Sequence, residues 1–276
     1  MTIAMWLRQA TNELADAMLV SPRLDAEIIL AHTIGHPRTW LHAHGNDPLE
    51  PRHEEIANAR LDLRLDHVPV AYIIGHKEFY GRRFMVTTHT LIPRPESEQV
   101  IELLLEAVSP HTALSPPETK RLVDIGTGSG CLGITAKLER PHLEVTLCDT
   151  SKFALDTAEK NAEKLGASVH CMVSNLLQDY PFTPDIVLAN LPYVDEAWKR
   201  SPDTAHEPAE ALFAPRGGLA LIEKCFDELA HRMEYGGIAI FEADPRQWDA
   251  ILTYAKKCGF EATASREYAV SFVKTN

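Results

Sequence analysis

Residues 121–133 read Arg-Leu-Val-Asp-Ile-Gly-Thr-Gly-Ser-Gly-Cys-Leu-Gly. An apolar run that passes directly into Gly126-Thr127-Gly128-Ser129-Gly130 is a strand feeding a tight turn, and a helix is predicted near 131–139. The glycines let the backbone turn sharply and approach a ligand with no Cβ in the way. In an open parallel sheet ligands lie beyond the carboxyl ends of the strands, where this loop must fall. Gly128 to Gly133 also satisfies G-x-G-x-x-G, so the loop alone admits NAD as well as S-adenosylmethionine (SAM). Asp149 ends the next strand, about 20 residues on, and suits the ribose hydroxyls of either. Asp124 favours SAM, because a carboxylate there attracts an ammonium group, directly or through water, and repels a pyrophosphate.

Outward from this point, short apolar runs alternate with helices. Residues 143–149, 168–173, 184–190 and 237–243 are further strand candidates, with helices near 151–165, 217–232 and 245–258. That alternation predicts a doubly wound, mostly parallel α/β sheet. The last segments, 260–264 and 268–274, have no helix between them and are expected to form an antiparallel edge hairpin. Upstream, the pattern to about residue 75 is helical. Ile3, Leu7, Leu14 and Met18 fall on one face. Ser21 reads as an N-cap before Pro22, Gly35 as a stop, and a third helix runs from about Glu50 to Asp66. Residues 77–93 suggest a hairpin or extended connector, residues 96–108 return to helical spacing, and 109–119 read as a proline- and serine-rich loop. The expected organisation is therefore a helical domain over 1–75, a connector over 76–95 and an α/β domain over 96–276.

Immediately after the strand ending at Ala189 stands Asn190-Leu191-Pro192-Tyr193. An amide, a residue held extended by the following proline, a fixed φ and an aromatic ring occupy four positions. This combination suits gripping a planar NH₂ group. The Asn190 side-chain oxygen and the Leu191 carbonyl each accept one N–H, and Tyr193 covers the π face.

With its Asp-x-Gly-x-Gly-x-Gly loop, this (Asn/Asp)-x-Pro-(Tyr/Phe) motif resembles those of the class I SAM-dependent methyltransferases of planar nitrogens, a Rossmann-like fold. The likeness extends to Arg23-x-Asp25-Ala26-Glu27, Ala71-Tyr72-Ile73-x-Gly75, Glu78-Phe79, Phe84-x-Val86, Leu91-Ile92-Pro93-Arg94-Pro95-Glu96-Ser97-Glu98, and Glu207-Pro208 with Ala211-Leu212. Together these resemble the HemK/PrmC family, which methylates the glutamine of the Gly-Gly-Gln motif in peptide-chain release factors. The resemblance implies that Asp124, Gly126, Thr127, Gly128, Ser129, Gly130 and Asp149 hold SAM, with S-adenosylhomocysteine as product. It implies that Asn190 borders cofactor and substrate alike, that Leu191, Pro192 and Tyr193 complete the catalytic grip, and that Glu207 serves the substrate side. Asn175 stands where the family usually has Asp facing the adenine amino group, and Leu176 where some members carry an aromatic. Asn can still accept from an NH₂ group. Leu191 replaces the family's usual proline, as in ribosomal-RNA adenine dimethyltransferases.

The formal charge of −12 opposes binding to a polyanion over most of the surface. Residues 1–95 hold 10 basic and 11 acidic side chains, and the remainder 17 and 28, so the excess lies in the α/β part. Direct nucleic-acid binding is accordingly not expected. Arg82, Arg83 and Arg94 offer a local basic cluster for an acidic partner or solvent. Five cysteines without a C-x-x-C pair fit reduced thiols in the cytoplasm. No apolar run is long enough for a membrane span, and no secretory signal opens the chain. His32, His36, His42 and His44 are read as surface or helix-end residues, with no metal site. A monomer is expected, with the helical domain helping to recognise the release factor. An adenine methyltransferase acting on RNA or DNA, an NAD-dependent oxidoreductase and a non-catalytic SAM-binding partner of the translation apparatus remain the alternatives.

Overall fold

The computed structural model describes residues 1–108 and 119–275, so nearly all of the proline-rich stretch at 109–119 lies outside it. The chain forms two compact units, Met1–His76 with Arg200–His206, and Lys77–Lys199 with Glu207–Asn276.

The first unit is helical, with α1 (Ile3–Asp16), α2 (Pro22–Ile34), α3 (Arg38–Ala43), α4 (Pro51–Leu65) and α5 (Val70–Ile74). Its core holds Trp6, Leu7, Leu14, Ile29, Leu30 and Leu61. Gly35 ends α2 in the left-handed conformation, as its position predicts. Met18 departs from expectation. It lies past the end of α1 at φ 57° and is 88% exposed. Ser21 stands at the N-cap of α2 but makes no cap bond; its hydroxyl donates to Asp25 Oδ1 at 2.7 Å instead. The reason is charge burial, since Asp25 and Arg64 pair at 2.8 Å inside the unit and the carboxylate needs further donors. Arg64 also holds Asp203 at 3.0 Å, which fastens the Arg200–His206 segment to this unit. Among the histidines, His36 and His44 stack on either face of Trp40.

The second unit begins with the hairpin β1 (His76–Phe79) and β2 (Arg82–Met85), followed by a 3₁₀ turn at Pro95–Ser97 and α6 (Glu98–Ala107). Then come β3 (Arg121–Ile125), α7 (Cys131–Glu139), β4 (Glu144–Asp149), α8 (Lys152–Leu165), β5 (His170–Val173) and β6 (Ile186–Ala189). The remainder is α9 (Ala209–Leu212), α10 (Ala220–Arg232), β7 (Ile238–Glu242), α11 (Trp248–Lys257), β8 (Phe260–Ser265) and β9 (Ala269–Lys274). The stretch from Trp198 to Pro215 contains the Pro202–His206 turn and α9.

Seven strands form one sheet in the order β5-β4-β3-β6-β7-β9-β8. All neighbours are parallel except β9, which is antiparallel to β7 and to β8. The terminal hairpin is thus present, but its second strand is the inner one. Residue pattern explains this: Ala269, Val270 and Phe272 of β9 are buried, whereas β8 carries the exposed Glu261 and Thr263 that suit an edge.

Alternate residues project to opposite faces of a strand, and the two cores follow that rule. Val123, Val187, Ala189, Ala239 and Phe241 join Phe226, Phe260 and Phe272 on one face. Leu122, Ile186, Leu188 and Ile240 join Ile101, Leu104 and Ile134 on the other. By the same alternation Asp124 of β3, Asn190 just after β6 and Glu242 of β7 belong to the α6 and α7 side. No described helix is long and apolar enough to cross a membrane.

Candidate active site

The strand order reverses between β3 and β6, because the chain runs outward from β3 to β4 on one side and from β6 to β7 on the other. A crevice opens beyond the strand ends at such a reversal. Register decides what meets there. Ile125 pairs with Ala189 on β6 and with Cys148 on β4. The next residues off these three strands are Gly126, Asn190 and Asp149. The glycine loop, the tetrapeptide and the strand-ending aspartate therefore emerge side by side.

They border one open cleft. Asp124, Gly126, Thr127, Gly128, Ser129, Asp149, Asn175, Leu176, Asn190, Leu191 and Pro192 all line it. Gly130, Tyr193 and Glu207 do not. Gly130 instead starts α7 at φ 82°, where a Cβ would stand 2.6 Å from Ile134 Cδ1.

The loop is fastened from below. Gly126 N and Thr127 N both donate to Cys148 O, at 2.8 and 3.0 Å, and Gly128 N donates to Asp149 Oδ2 at 2.9 Å. Ser151 N donates to Asp149 Oδ1 at 2.8 Å. A carboxylate has about four lone-pair sites, so Asp149 is oriented by the backbone and can still accept from two hydroxyls. Gly126 has φ 70°, and a Cβ on it would stand 3.3 Å from Leu191 Cδ2. The buried Leu191 side chain thus packs directly over the first glycine, which is how a leucine fits a position where the resembled family has proline.

Asp124 is buried and binds the loop through one oxygen. Oδ2 accepts from Thr127 Oγ1 at 2.6 Å and from Gly133 N at 2.9 Å. Burial raises its pKa to about 6, opposed by those two donors, with Asp149 adding a smaller push upward. Neither hydrogen bond uses Oδ1, and the residue faces a cleft that can take a cation.

Around the tetrapeptide, Asn190 Nδ2 donates to Ser97 Oγ at 3.1 Å, and Tyr193 Oη donates to Glu242 Oε1 at 3.0 Å. Burial raises the Tyr193 phenol strongly, with the neighbouring Glu242 carboxylate as the second cause. Burial also pushes Glu242 up to about 7, while the Ser97 and Tyr193 hydroxyls draw it back.

Glu207 is 6% exposed and spends both oxygens on one segment, with Ile92 N at 3.2 Å on Oε2 and the Arg94 guanidinium on Oε1. Two of the three arginines read as a basic cluster are likewise engaged, since Arg82 pairs with Glu139 at 2.6 Å. Sequence reasoning did not assign His89, Ile92, Arg94 and Ser97 to the site, although they line the cleft. For Ile92, Arg94 and Ser97 the signal was present in the Leu91–Glu98 motif, which carries the most specific part of the family resemblance, whereas His89 lies outside it. Among the described residues no group of three or more His, Cys, Asp or Glu is placed to hold a metal ion.

Residues 5–75 match the PrmC N-terminal domain family, and residues 98–235 match the methyltransferase small domain family. The release factor glutamine methyltransferase of Bordetella pertussis is 34% identical over 249 residues, which cover 89% of this chain and 90% of that protein. Its counterpart in Salmonella typhimurium is 32% identical over 270 residues, covering 95% and 94%. Among solved structures, a methyltransferase from Pyrococcus furiosus aligns with a TM-score of 0.53 at 15% identity, covering 79% of this chain and 98% of its own. At that identity the likeness is one of fold.

Proposed function

The chain belongs to the release factor glutamine methyltransferase family, and from that premise we propose that it moves a methyl group from SAM to a glutamine side-chain amide nitrogen in the Gly-Gly-Gln motif of peptide-chain release factors. The observation that carries this reading is the register pair Ile125–Ala189, which sets the glycine loop and Asn190-Leu191-Pro192-Tyr193 at one cleft. Family membership makes the protein a SAM-dependent enzyme.

The residues present suit SAM. Gly126 and Gly128, both at positive φ, keep the loop free of side chains where a ligand must approach. Asp149 is held ready for the ribose hydroxyls, Asn175 offers an acceptor for the adenine amino group beside Leu176, and Asp124 supplies a carboxylate for the ammonium. SAM brings a methyl group already activated by its sulfonium. What is left to the protein is alignment, which can lower a barrier by up to about 7–11 kcal/mol in ideal cases. A glutamine amide nitrogen is a poor nucleophile because its lone pair is delocalised into the carbonyl. Asn190 Oδ1 and the Leu191 carbonyl accept its two N–H groups and favour positive charge on that nitrogen in the transition state. Tyr193 stands outside the cleft lining, and its phenol, bonded to Glu242, anchors the end of the tetrapeptide. Glu207 acts on the substrate side by holding the Ile92–Arg94 segment. The surplus proton leaves to water.

We place the reaction in the cytoplasm, with a release factor as protein partner and the helical unit contributing to its recognition. Leu191 favours one second reading, an adenine amino-group methyltransferase, and the net charge of −12 opposes it. A single experiment separates them. Labelled SAM is supplied with purified release factor, total RNA or DNA, and label is expected only on the release factor, with none after its Gly-Gly-Gln glutamine is replaced. Label on RNA or DNA alone would overturn the reading.

Two predictions concern the cofactor side. Asp149→Ala is expected to weaken SAM binding by about 1.5–3 kcal/mol, the scale of a hydrogen bond to a charged group. An unchanged calorimetric titration would remove Asp149 from the site. The second is a pH dependence. With a folded pKa raised to about 6, Asp124 gains its negative charge as pH rises through that value. Affinity for SAM should therefore improve between about pH 5 and 7, and Asp124→Asn should abolish that improvement. Parallel slopes for the two proteins would refute the ammonium contact.

A further inference from the structure

Asn161 stands outside the cleft lining and outside the methyl transfer derived above, yet its side chain ties together two segments that border the cleft. It lies on α8 and is 0% exposed. Its Oδ1 accepts from Met85 N at 2.7 Å, and its Nδ2 donates to Met85 O at 3.0 Å and to Ser129 O at 2.8 Å. An amide nitrogen carries two hydrogens, so both are in use. Ser129 belongs to the glycine loop. Met85 ends β2, from which the chain runs through a turn closed by Thr90 N and Thr87 O into Leu91, Ile92, Pro93 and Arg94 of the cleft lining. Ala154, Ala158 and Asn161 recur at helical spacing on one face of α8. Ala154 lines the cleft, and a Cβ on Gly130 would stand 3.1 Å from Ala158 Cβ. Small side chains thus bring the helix against the loop, and the amide supplies the bonds.

We propose that Asn161 is a positioning residue for the cofactor, holding the glycine loop in register with the connector that lines the same cleft. A peptide plane turns as a unit. The Ser129–Gly130 peptide is held at its oxygen by Asn161 and at its N–H by Thr127 O, 2.8 Å away. The turn from Thr127 to Gly130 is thereby locked in the conformation in which Gly128 N meets Asp149. Without the amide, the Ser129 carbonyl loses its buried donor, and glycine at 130 lets the peptide rotate toward another. Rotation opens the turn and moves Gly128 off Asp149, the carboxylate read above as the ribose acceptor. Met85 loses both of its side-chain bonds at the same moment, which frees the start of the connector. The role rests on the cofactor reading given above and is independent of the methyl acceptor.

The test is calorimetric titration of the full-length protein with SAM, without release factor, at a temperature where circular dichroism shows each variant folded. Asn161→Ala removes all three bonds while installing the best helix former, and is expected to raise the Kd for SAM by about tenfold or more, the scale of leaving buried polar groups unpaired. Asn161→Asp keeps the shape and the acceptor for Met85 N but has no Nδ2, and should be impaired similarly. A packing role would instead leave Asn161→Asp near wild type, because its volume is unchanged. Ala162→Gly is the stability control. It weakens α8 at the next position without touching Met85 or Ser129, so its thermal midpoint should fall while its Kd stays within about twofold. Wild-type affinity in Asn161→Ala, wild-type affinity in Asn161→Asp, or an equal loss in Ala162→Gly would each overturn the positioning role, with SAM binding by the wild-type protein preserving the cofactor reading. Absence of SAM binding by the wild-type protein would overturn both. If Asn161→Asp folds poorly, the comparison of Asn161→Ala with Ala162→Gly decides.

Discussion

Asn190→Ala is expected to lower kcat for release-factor methylation by about 10²–10³-fold, the effect of deleting one preorganised donor or acceptor at the reacting centre. The loss should fall on the chemical step. Asn190 stands one residue beyond the β6–β3 register pair, and its Nδ2 is committed to Ser97, so Oδ1 is the end available to a substrate N–H. The alanine variant leaves the Leu191 carbonyl to hold the amide alone. One acceptor fixes a distance but not the rotation of a planar group, and rotation decides whether the nitrogen lone pair points along the line of transfer. The SAM Kd should change little, since Asp149, the glycine loop and Asp124 keep their bonds. Single-turnover methylation with saturating SAM, beside calorimetric titration of SAM, reads the two quantities separately. Turnover at the wild-type rate would remove Asn190 from the grip.

Gly218→Ala should be as damaging through geometry alone. Gly218 has φ 83°, and a Cβ there would stand 1.8 Å from Tyr193 O, 2.5 Å from Tyr193 C and 2.6 Å from Gln247 Nε2. Two of these are backbone atoms of Tyr193 and cannot swing aside as a side-chain tip can. Gln247 Nε2 donates to Tyr193 O at 2.8 Å and to Gly217 O at 2.7 Å, so the same intrusion strikes the clamp that holds the two segments together. Left-handed strain costs about 1–3 kcal/mol and overpacking about 1–3 kcal/mol more. The expected outcome is a thermal midpoint lowered by several degrees and methylation reduced by at least about a hundredfold, as Tyr193 is pushed out of place. Gly217→Ala is the control. Its φ is 69°, but a Cβ would meet nothing nearer than Asp195 Oδ2 at 3.7 Å, so only the backbone strain applies. Equal behaviour of the two variants would refute the close approach.

Much of this architecture can be read along the chain. The strand–glycine–helix passage at 121–139 is local, and so are the helices of residues 1–75 and the proline-restrained tetrapeptide. Local periodicity and backbone restriction specify these, because each depends on neighbours within a turn or a strand length. Departures occur where a distant charge intervenes. Ser21 has the residue type and place of a cap, but Arg64, 39 positions beyond Asp25, draws Asp25 inward and the hydroxyl follows. Glu207 likewise looks like a substrate contact from the motif, yet Ile92 and Arg94, more than a hundred residues earlier, occupy its oxygens.

By itself the amino-acid order determined the α/β class, the helical first unit and most of the groups that line the cleft. Only the folded sheet decided that Ser97 would meet Asn190 across 93 residues, that Glu242 would meet Tyr193 across 49, and that Gly218 would lie against Tyr193. The reason is that strand register and helix packing bring together positions whose spacing along the chain has no period to reveal it.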